Sequence, residues 1–268
     1  MSTRLGLTLP SFVRDPEVPI RVARAAEEAG LDAAFCYDHL FRHGADGRRR
    51  PAIEGTTLLG AIAAETTAIG VGTLVARATL RPPAQLAVAF DTVQRISRGR
   101  LIAAIGAGDS QSVDEMVTFG YDFGTPATRS AALEAAVASA RGRGFPVWVG
   151  GHLRALREFA ARAADGWNAW GSDVEHFATQ VSEIRAAAPA GFTCSWGGLV
   201  LVGADDDEVA AKRDRFNPAP AVVTGTPKQV AAALSPYVDA GAEWMIVGPL
   251  DASDPANAAL LADVRARL

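Results

Sequence analysis

Lysine and cysteine each occur only twice in these 268 residues. Lys212 and Lys228 both fall in helical stretches, which excludes a Schiff-base enzyme with its lysine at a strand end. Cys36 and Cys194 are far apart and sit in apolar runs. They read as small buried hydrophobes of a reducing compartment, and a cytoplasmic protein is expected. Histidine is nearly as scarce. His39 and His43 have metal-ligand spacing, but no third ligand follows, and the first strand ends Leu9-Pro10-Ser11 with no His-x-His pair. Metal-dependent barrel chemistry is therefore disfavoured. No apolar run approaches the roughly 18 residues of a membrane span, and the run before Pro10 is too short for a signal peptide. The net charge of −4 offers no basic surface to displace counterions from nucleic acid. No internal repeat, low-complexity segment or linker divides the chain.

What remains is an ordinary globular composition, 49% hydrophobic and 21% charged, with short apolar runs alternating with Ala/Arg/Glu-rich helical stretches. Eight strands are expected: Leu5–Leu9, Ala33–Tyr37, Ile69–Val75, Leu101–Ile105, Val147–Val149, Gly166–Ala169, Thr193–Val202 and Glu243–Val247. Between them the helix signals are local. Asp15-Pro16 opens a helix that Gly30 ends, another runs Pro83 to Ile96, and Thr226-Pro227-Lys228-Gln229 is a capping box with proline at its first helical position. An open doubly wound sheet would alternate similarly. Length and strand count instead favour a single domain over residues 1–268, a (β/α)₈ TIM barrel of the usual size of about 250 residues.

Active sites of such barrels lie at the C-terminal ends of the strands, so the residues just past each strand are the candidates. Asp38-His39 follows strand two, and a histidine there is either a proton carrier near neutral pH or a solvated loop residue. Gly106-Ala107-Gly108 follows strand four without the rest of a dinucleotide fingerprint, and its glycines suit close approach to a planar ligand. Asp109 is a loop cap or a carboxylate aimed into the mouth. Gly150-Gly151, with His152 and a helix from about Leu153, offers helix N-terminal amides to a phosphate, or is simply a tight turn. Arg48-Arg49-Arg50 is a solvated cluster or reaches an anionic substrate or cofactor tail. Few reactive side chains beside a phosphate cradle suggest that a cofactor supplies the chemistry.

In order and spacing, Glu27-Glu28-Ala29-Gly30-Leu31-Asp32, Tyr37-Asp38-His39-Leu40, Val71-Gly72-Thr73, Arg81-Pro82-Pro83, Gly99-Arg100-Leu101, Gly106-Ala107-Gly108, Pro146-Val147-Trp148-Val149-Gly150-Gly151, Ala164-Asp165-Gly166-Trp167 and Gly225-Thr226-Pro227 resemble the luciferase-like flavin- and deazaflavin-dependent oxidoreductases, which are (β/α)₈ barrels. The resemblance implies a hydride carrier across the mouth, favouring the deazaflavin coenzyme F420 over FMN, with its phosphate at Gly150, Gly151 and His152. It implies a cis peptide at Leu74-Val75, which with Thr73 and the glycines Gly106 and Gly108 would lie against the ring. It implies ring contacts from Asp38 and His39 and an acid/base role for Asp109. The substrate would be a small organic molecule. With FMN, an oxygen-using monooxygenase is the alternative; a non-catalytic barrel is the second. Relatives carry longer excursions where this chain has 109–146, with room for a loop and one helix, and 203–225, so the barrel has shortened insertion regions near the substrate mouth. A homodimer through barrel helices fits the family.

Overall fold

The computed structural model describes residues 3–44 and 46–268. The strands are β1 (Arg4–Thr8), β2 (Ala33–Cys36), β3 (Phe41–His43), β4 (Arg49–Pro51), β5 (Gly70–Arg77), β6 (Leu101–Gly106), β7 (Val147–Gly150), β8 (Gly166–Trp170), β9 (Thr193–Val202), β10 (Val223–Gly225) and β11 (Trp244–Pro249). The helices are α1 (Glu17–Glu28), α2 (Gly55–Glu65), α3 (Pro83–Ile96), α4 (Val113–Thr118), α5 (Pro126–Ala140), α6 (Arg154–Ala163), α7 (Val174–Arg185), α8 (Asp206–Phe216), α9 (Pro227–Asp239) and α10 (Asn257–Arg265). Eight strands, in the order β1-β2-β5-β6-β7-β8-β9-β11, form an all-parallel ring that closes where β11 pairs with β1. The eight expected strands are these eight, and the fold is the (β/α)₈ barrel.

The strands read as unbroken apolar runs because a parallel barrel is buried on both faces; every residue of β6, Leu-Ile-Ala-Ala-Ile-Gly, is buried. One core lies between the ring and the helices. A second fills the barrel with Phe35, Leu74, Ile102, Trp148, Trp244 and Ile246, where Trp148 and Trp244 meet edge to face at 5.7 Å. The barrel is a packed interior, open to chemistry only at its rim.

Several of the sequence motifs brace the opposite, N-terminal face. Arg100 donates to the Ala63, Thr66 and Ser97 carbonyls at 2.9, 2.8 and 2.7 Å. Glu27 accepts from the amides of Thr67 (2.7 Å) and Ile69 (3.0 Å). Asp32 holds the Leu5 amide (2.8 Å) and forms a bidentate pair with Arg265 (2.6 and 2.9 Å) that ties α10 to the barrel. Cys36 and Cys194 are both buried and free.

Four local features differ from expectation. The segment 41–51, read as a polar loop, contains an antiparallel hairpin of β3 and β4; Phe-Arg-His opposite Arg-Arg-Pro has no apolar alternation to announce a strand. β10 is a three-residue addition to the end of β9. The segment after β6 has room for two helices, α4 and α5, and not one. The third barrel strand continues to Arg77, two residues past its expected end. The Leu74-Val75 peptide is cis, as the resemblance implies, and the β5–β6 register shifts between Thr73 and Ala76.

Candidate active site

β2 leaves the barrel at Cys36 and turns through Tyr37, Asp38 and His39 across the mouth. The Asp38 side chain is 2% exposed and both its oxygens are taken. It accepts from the Arg77 amide at 2.8 Å and from both terminal nitrogens of Arg81 at 2.7 and 2.9 Å. This bidentate pair is the strong form of a carboxylate–guanidinium contact. Arg81 also pairs with Glu54, which caps α2 by accepting from the Thr57 amide at 2.6 Å. Burial alone would raise the Glu54 pKa, but hydrogen bonds from Thr57 and Arg81 and the Arg81 charge hold it down to about 2.

His39 sits one residue on, with a different partner. Its Nδ1 is 2.7 Å from Glu115 Oε1, contributed by α4. Glu115 is 4% exposed, and it also accepts from Arg77 Nη2 at 2.6 Å and from the Leu40 amide at 2.7 Å. Burial works against its charge, yet the His39 and Leu40 hydrogen bonds and the charges of His39 and Arg77 win and hold the carboxyl down to about 2. Arg77 Nη2 also lies 3.0 Å from Nδ1, but its shorter contact, 2.6 Å, is to Glu115 Oε1. An ionised carboxylate is an acceptor only, so the tautomer that satisfies Glu115 is the one with the proton on Nδ1. Nε2 is left for the open side of a ring that is 37% exposed. Arg77 ends with one buried nitrogen, Nη1, that has no partner among the described residues.

Tyr37 and Phe12 flank His39, with ring centroids 6.3 and 5.6 Å from it. The Tyr37 hydroxyl donates to Thr8 Oγ1 at 2.9 Å, and burial, the largest influence, pushes its pKa up to about 12. Tyr37 therefore stays a neutral donor.

The remaining expected residues fall into two groups. Val75 sits in the mouth with a glycine on each side: a Cβ on Gly106 would lie 2.5 Å from its Cγ2, and one on Gly150 2.7 Å from its Cγ1. Both Gly106, expected to admit a planar ligand, and Gly150, expected at a phosphate, make room for the Val75 side chain. Leu74 packs into the barrel interior. Thr73 is fully buried and donates to the Ala104 carbonyl at 2.7 Å, bridging β5 and β6 below the mouth. Gly108, at φ +75°, lies over the Arg77 side chain.

At the β7 end, where a phosphate is expected at Gly150, Gly151 and His152, the backbone amides divide into committed and open ones. Gly151 donates its amide to the Asn168 carbonyl at 3.2 Å, so that N–H is committed to β8. The amides of Leu153, Arg154 and Ala155, at the uncapped start of α6, have no partner among the described residues. His152 is engaged too, with Nε2 2.7 Å from the Trp170 carbonyl and Nδ1 3.2 Å from Ser172 Oγ. Asp109 is exposed and caps the 3₁₀ turn 110–112: its Oδ1 accepts from the Gln111 amide at 2.9 Å and from Ser112 Oγ at 3.2 Å.

Glu115, Arg77, Arg81 and Glu54 were not among the residues singled out in sequence. Arg81 stands in a motif that carries the family resemblance and Arg77 two residues past the expected end of the third strand, so both have a positional signal. Glu115 has none, since its six-residue helix carries no sequence pattern that separates it from a loop. Among the described residues no cluster of three or more His, Cys, Asp and Glu could hold a metal.

Residues 7–131 and 129–223 match the family described as luciferase-like monooxygenase. The chain is 40% identical over 92 residues to the F420-dependent glucose-6-phosphate dehydrogenase of Nakamurella multipartita, a stretch that is 33% of this chain and 26% of that protein. It spans less than half the length of the curated relatives it matches. Two solved structures share the fold across it. An F420-dependent secondary alcohol dehydrogenase in complex with an F420-acetone adduct superposes with a TM-score of 0.77 at 16% identity, covering 98% of both chains. The EDTA monooxygenase of Chelativorans sp. BNC1 superposes with 0.81 at 16% identity, covering 99% of this chain and 94% of that one. With the barrel closed and both matched segments inside it, the chain belongs to the luciferase-like monooxygenase family.

Proposed function

We propose that the chain is an oxidoreductase that moves a hydride between the deazaflavin coenzyme F420 and a small organic substrate at the barrel mouth. The observation that carries this reading is the His39–Glu115 pair (2.7 Å), set beside Val75 in its slot between two glycines. The curated relatives named for F420 support the deazaflavin over FMN. The residues present fit such a group. Val75 offers an apolar bump to back a flat ring, Arg77 Nη1 is a buried donor without a partner among the described residues, and the first-turn amides of α6 suit a phosphate.

When bound, the deazaflavin supplies a two-electron hydride carrier. The chain supplies the proton chemistry. As a carbinol carbon gives up its hydride and becomes a carbonyl, His39 Nε2 takes the hydroxyl proton; in the reverse direction it returns it. Glu115 fixes the tautomer that leaves Nε2 free and stabilises the imidazolium that forms. Arg77 pairs with the same carboxylate and helps keep it ionised while His39 is neutral. Asp38 touches Arg81 and the Arg77 amide, so its part is to position the loop that carries His39. Asp109, exposed and with no partner for Oδ2 among the described residues, is the second acid/base group.

Titrating the purified protein with F420 and with FMN, following fluorescence and the visible spectrum, tests this directly. F420 should bind, His39→Gln should keep that affinity while turnover falls about 10²–10⁴-fold, and Gly150→Leu should abolish binding. Tight FMN binding without F420 affinity would replace the hydride reading with oxygen-using chemistry. A protein that binds neither would be a non-catalytic barrel.

A further inference from the structure

The mouth has a second half, on the side of β1, β2, β9 and β11. There a cavity of about 660 Å³ is lined by residues that include Thr8, Phe12, Tyr37, Arg42, Leu199 and Asp251. Its volume is that of a small-ligand site, and Phe12 and Tyr37 form the wall it shares with His39. Resting on the reading that His39 works on a bound substrate, we propose that this substrate carries an oxyanion, a carboxylate or phosphate, held at Arg42, and a hydroxyl or ammonium donor that faces Asp251.

Two independent features argue for it. The hairpin places Arg42 directly opposite Arg50, and like charges facing each other across an antiparallel pair destabilise it. Neither arginine has an acidic partner among the described residues, although their neighbour Arg49 reaches Asp114 at 3.5 Å. The Arg42 guanidinium lies 4.6 Å over the Phe12 ring, which aims it along the cavity wall. Arg42 keeps solvent contact, but the desolvation it meets against its neighbours and then the Arg50 charge push its pKa down. An oxyanion seated there relieves both, through the two-pronged contact that guanidinium makes best.

Across the cavity, the Asp251 side chain is 9% exposed and its Oδ2 pairs with Lys212 Nζ at 2.8 Å. Its Oδ1 is buried with no partner among the described residues. A buried carboxylate oxygen without a donor is costly, and a substrate hydroxyl or ammonium would satisfy it. The anion held at Arg42 is not the cofactor's phosphate on this reading, because α6 and the β7–β8 loops lie across the ring from β1 and β11.

The experiment measures the thermal midpoint of wild type, Arg42→Ala and Asp251→Asn against D-glycerate, glycerol 3-phosphate and, as the neutral control, glycerol. F420 affinity of each protein is read separately by fluorescence. Glycerate or glycerol phosphate should raise the wild-type midpoint in a saturable way, and glycerol should not. Arg42→Ala should weaken that binding about 10- to 100-fold with F420 affinity unchanged. Asp251→Asn should weaken the hydroxylated anions but not inorganic phosphate, added as a fourth probe. No Arg42-dependent stabilisation by any of the anions, or equal stabilisation by glycerol, overturns the proposal. Loss of F420 affinity in Arg42→Ala with anion binding intact also overturns it, because the anion would then belong to the cofactor. If wild type binds the anions through Arg42 but no F420, the hydride reading fails while the anion site stands.

Discussion

The two halves of the barrel mouth are built in opposite ways. On the β2–β5–α4 side three carboxylates are cross-linked: Asp38 by Arg81 and the Arg77 amide, Glu54 by Arg81 and Thr57, Glu115 by His39, Arg77 and Leu40. On the β1–β9–β11 side the solvent-exposed Arg42 and the buried Oδ1 of Asp251 have no partner among the described residues. A cross-linked half holds His39 to one tautomer before anything binds, which is what proton transfer at a fixed atom needs. An uncommitted half leaves its polar groups to be satisfied by a ligand. Reaction type therefore belongs to the first half, and substrate choice to the second.

The largest effect should come from cutting the first half at Arg81. Arg81→Leu leaves Asp38, 2% exposed, as a buried carboxylate held by a single amide, and breaking a buried pair from one side costs about 3–5 kcal/mol. Urea unfolding should show that loss, and adding Asp38→Asn to the same chain should recover part of it. Full stability in the single variant would show that water reaches this network and that the half is not rigid.

Next comes Glu115, where pH separates the two halves. Its carboxyl is held at about 2 against an ordinary 4.5, so its folded-state pKa is depressed. The stability it contributes is present above about pH 4.5 and is lost as pH falls from there towards 2, about 3 kcal/mol across that window. Glu115→Gln should flatten this part of the acid-unfolding curve. It should also lower kcat more than it raises KM, since the variant frees His39 to turn without touching the substrate side. A matched rise in KM alone would place Glu115 in binding and not in orientation.

How much of this was legible in sequence follows from where the information sits. The barrel was readable because its strands are buried on both faces and announce themselves as apolar runs, and because the capping box at Thr226 and the glycine after α1 act locally. His39 was readable because it stands just past a strand. Glu115 was not, being 76 residues away from His39 in the chain on a six-residue helix whose partners come only from the folded mouth. The glycine doublet is conspicuous and points to the right turn, but which amides there are open is decided by hydrogen bonding: Gly151 spends its own on Asn168, and those from His152 to Ala155 have no partner among the described residues. Glycines mark close approach, but the sequence does not say to what; here it is Val75.

The smallest effect should come from the residue beside Glu115. Asp114 faces outward from the same turn of α4 and pairs with His43 Nε2 at 2.7 Å, as Glu115 pairs with His39 Nδ1, but its side chain is 53% exposed. The Asp114 hydrogen bond, more than its charge, raises the His43 pKa above 6.5. A raised histidine contributes stability that is full below about pH 6.5 and disappears as pH rises through its folded value, the reverse of the Glu115 window. Exposed pairs are screened by water and salt, so Asp114→Asn should leave the thermal midpoint unchanged at pH 8 and lower it only slightly at pH 5.5 in low salt. One helix turn would then carry the same carboxylate–histidine pairing twice, with burial alone deciding which copy matters. A drop at pH 8 as large as that of Glu115→Gln would show instead that the hairpin, and with it Arg42, is anchored to the rigid half.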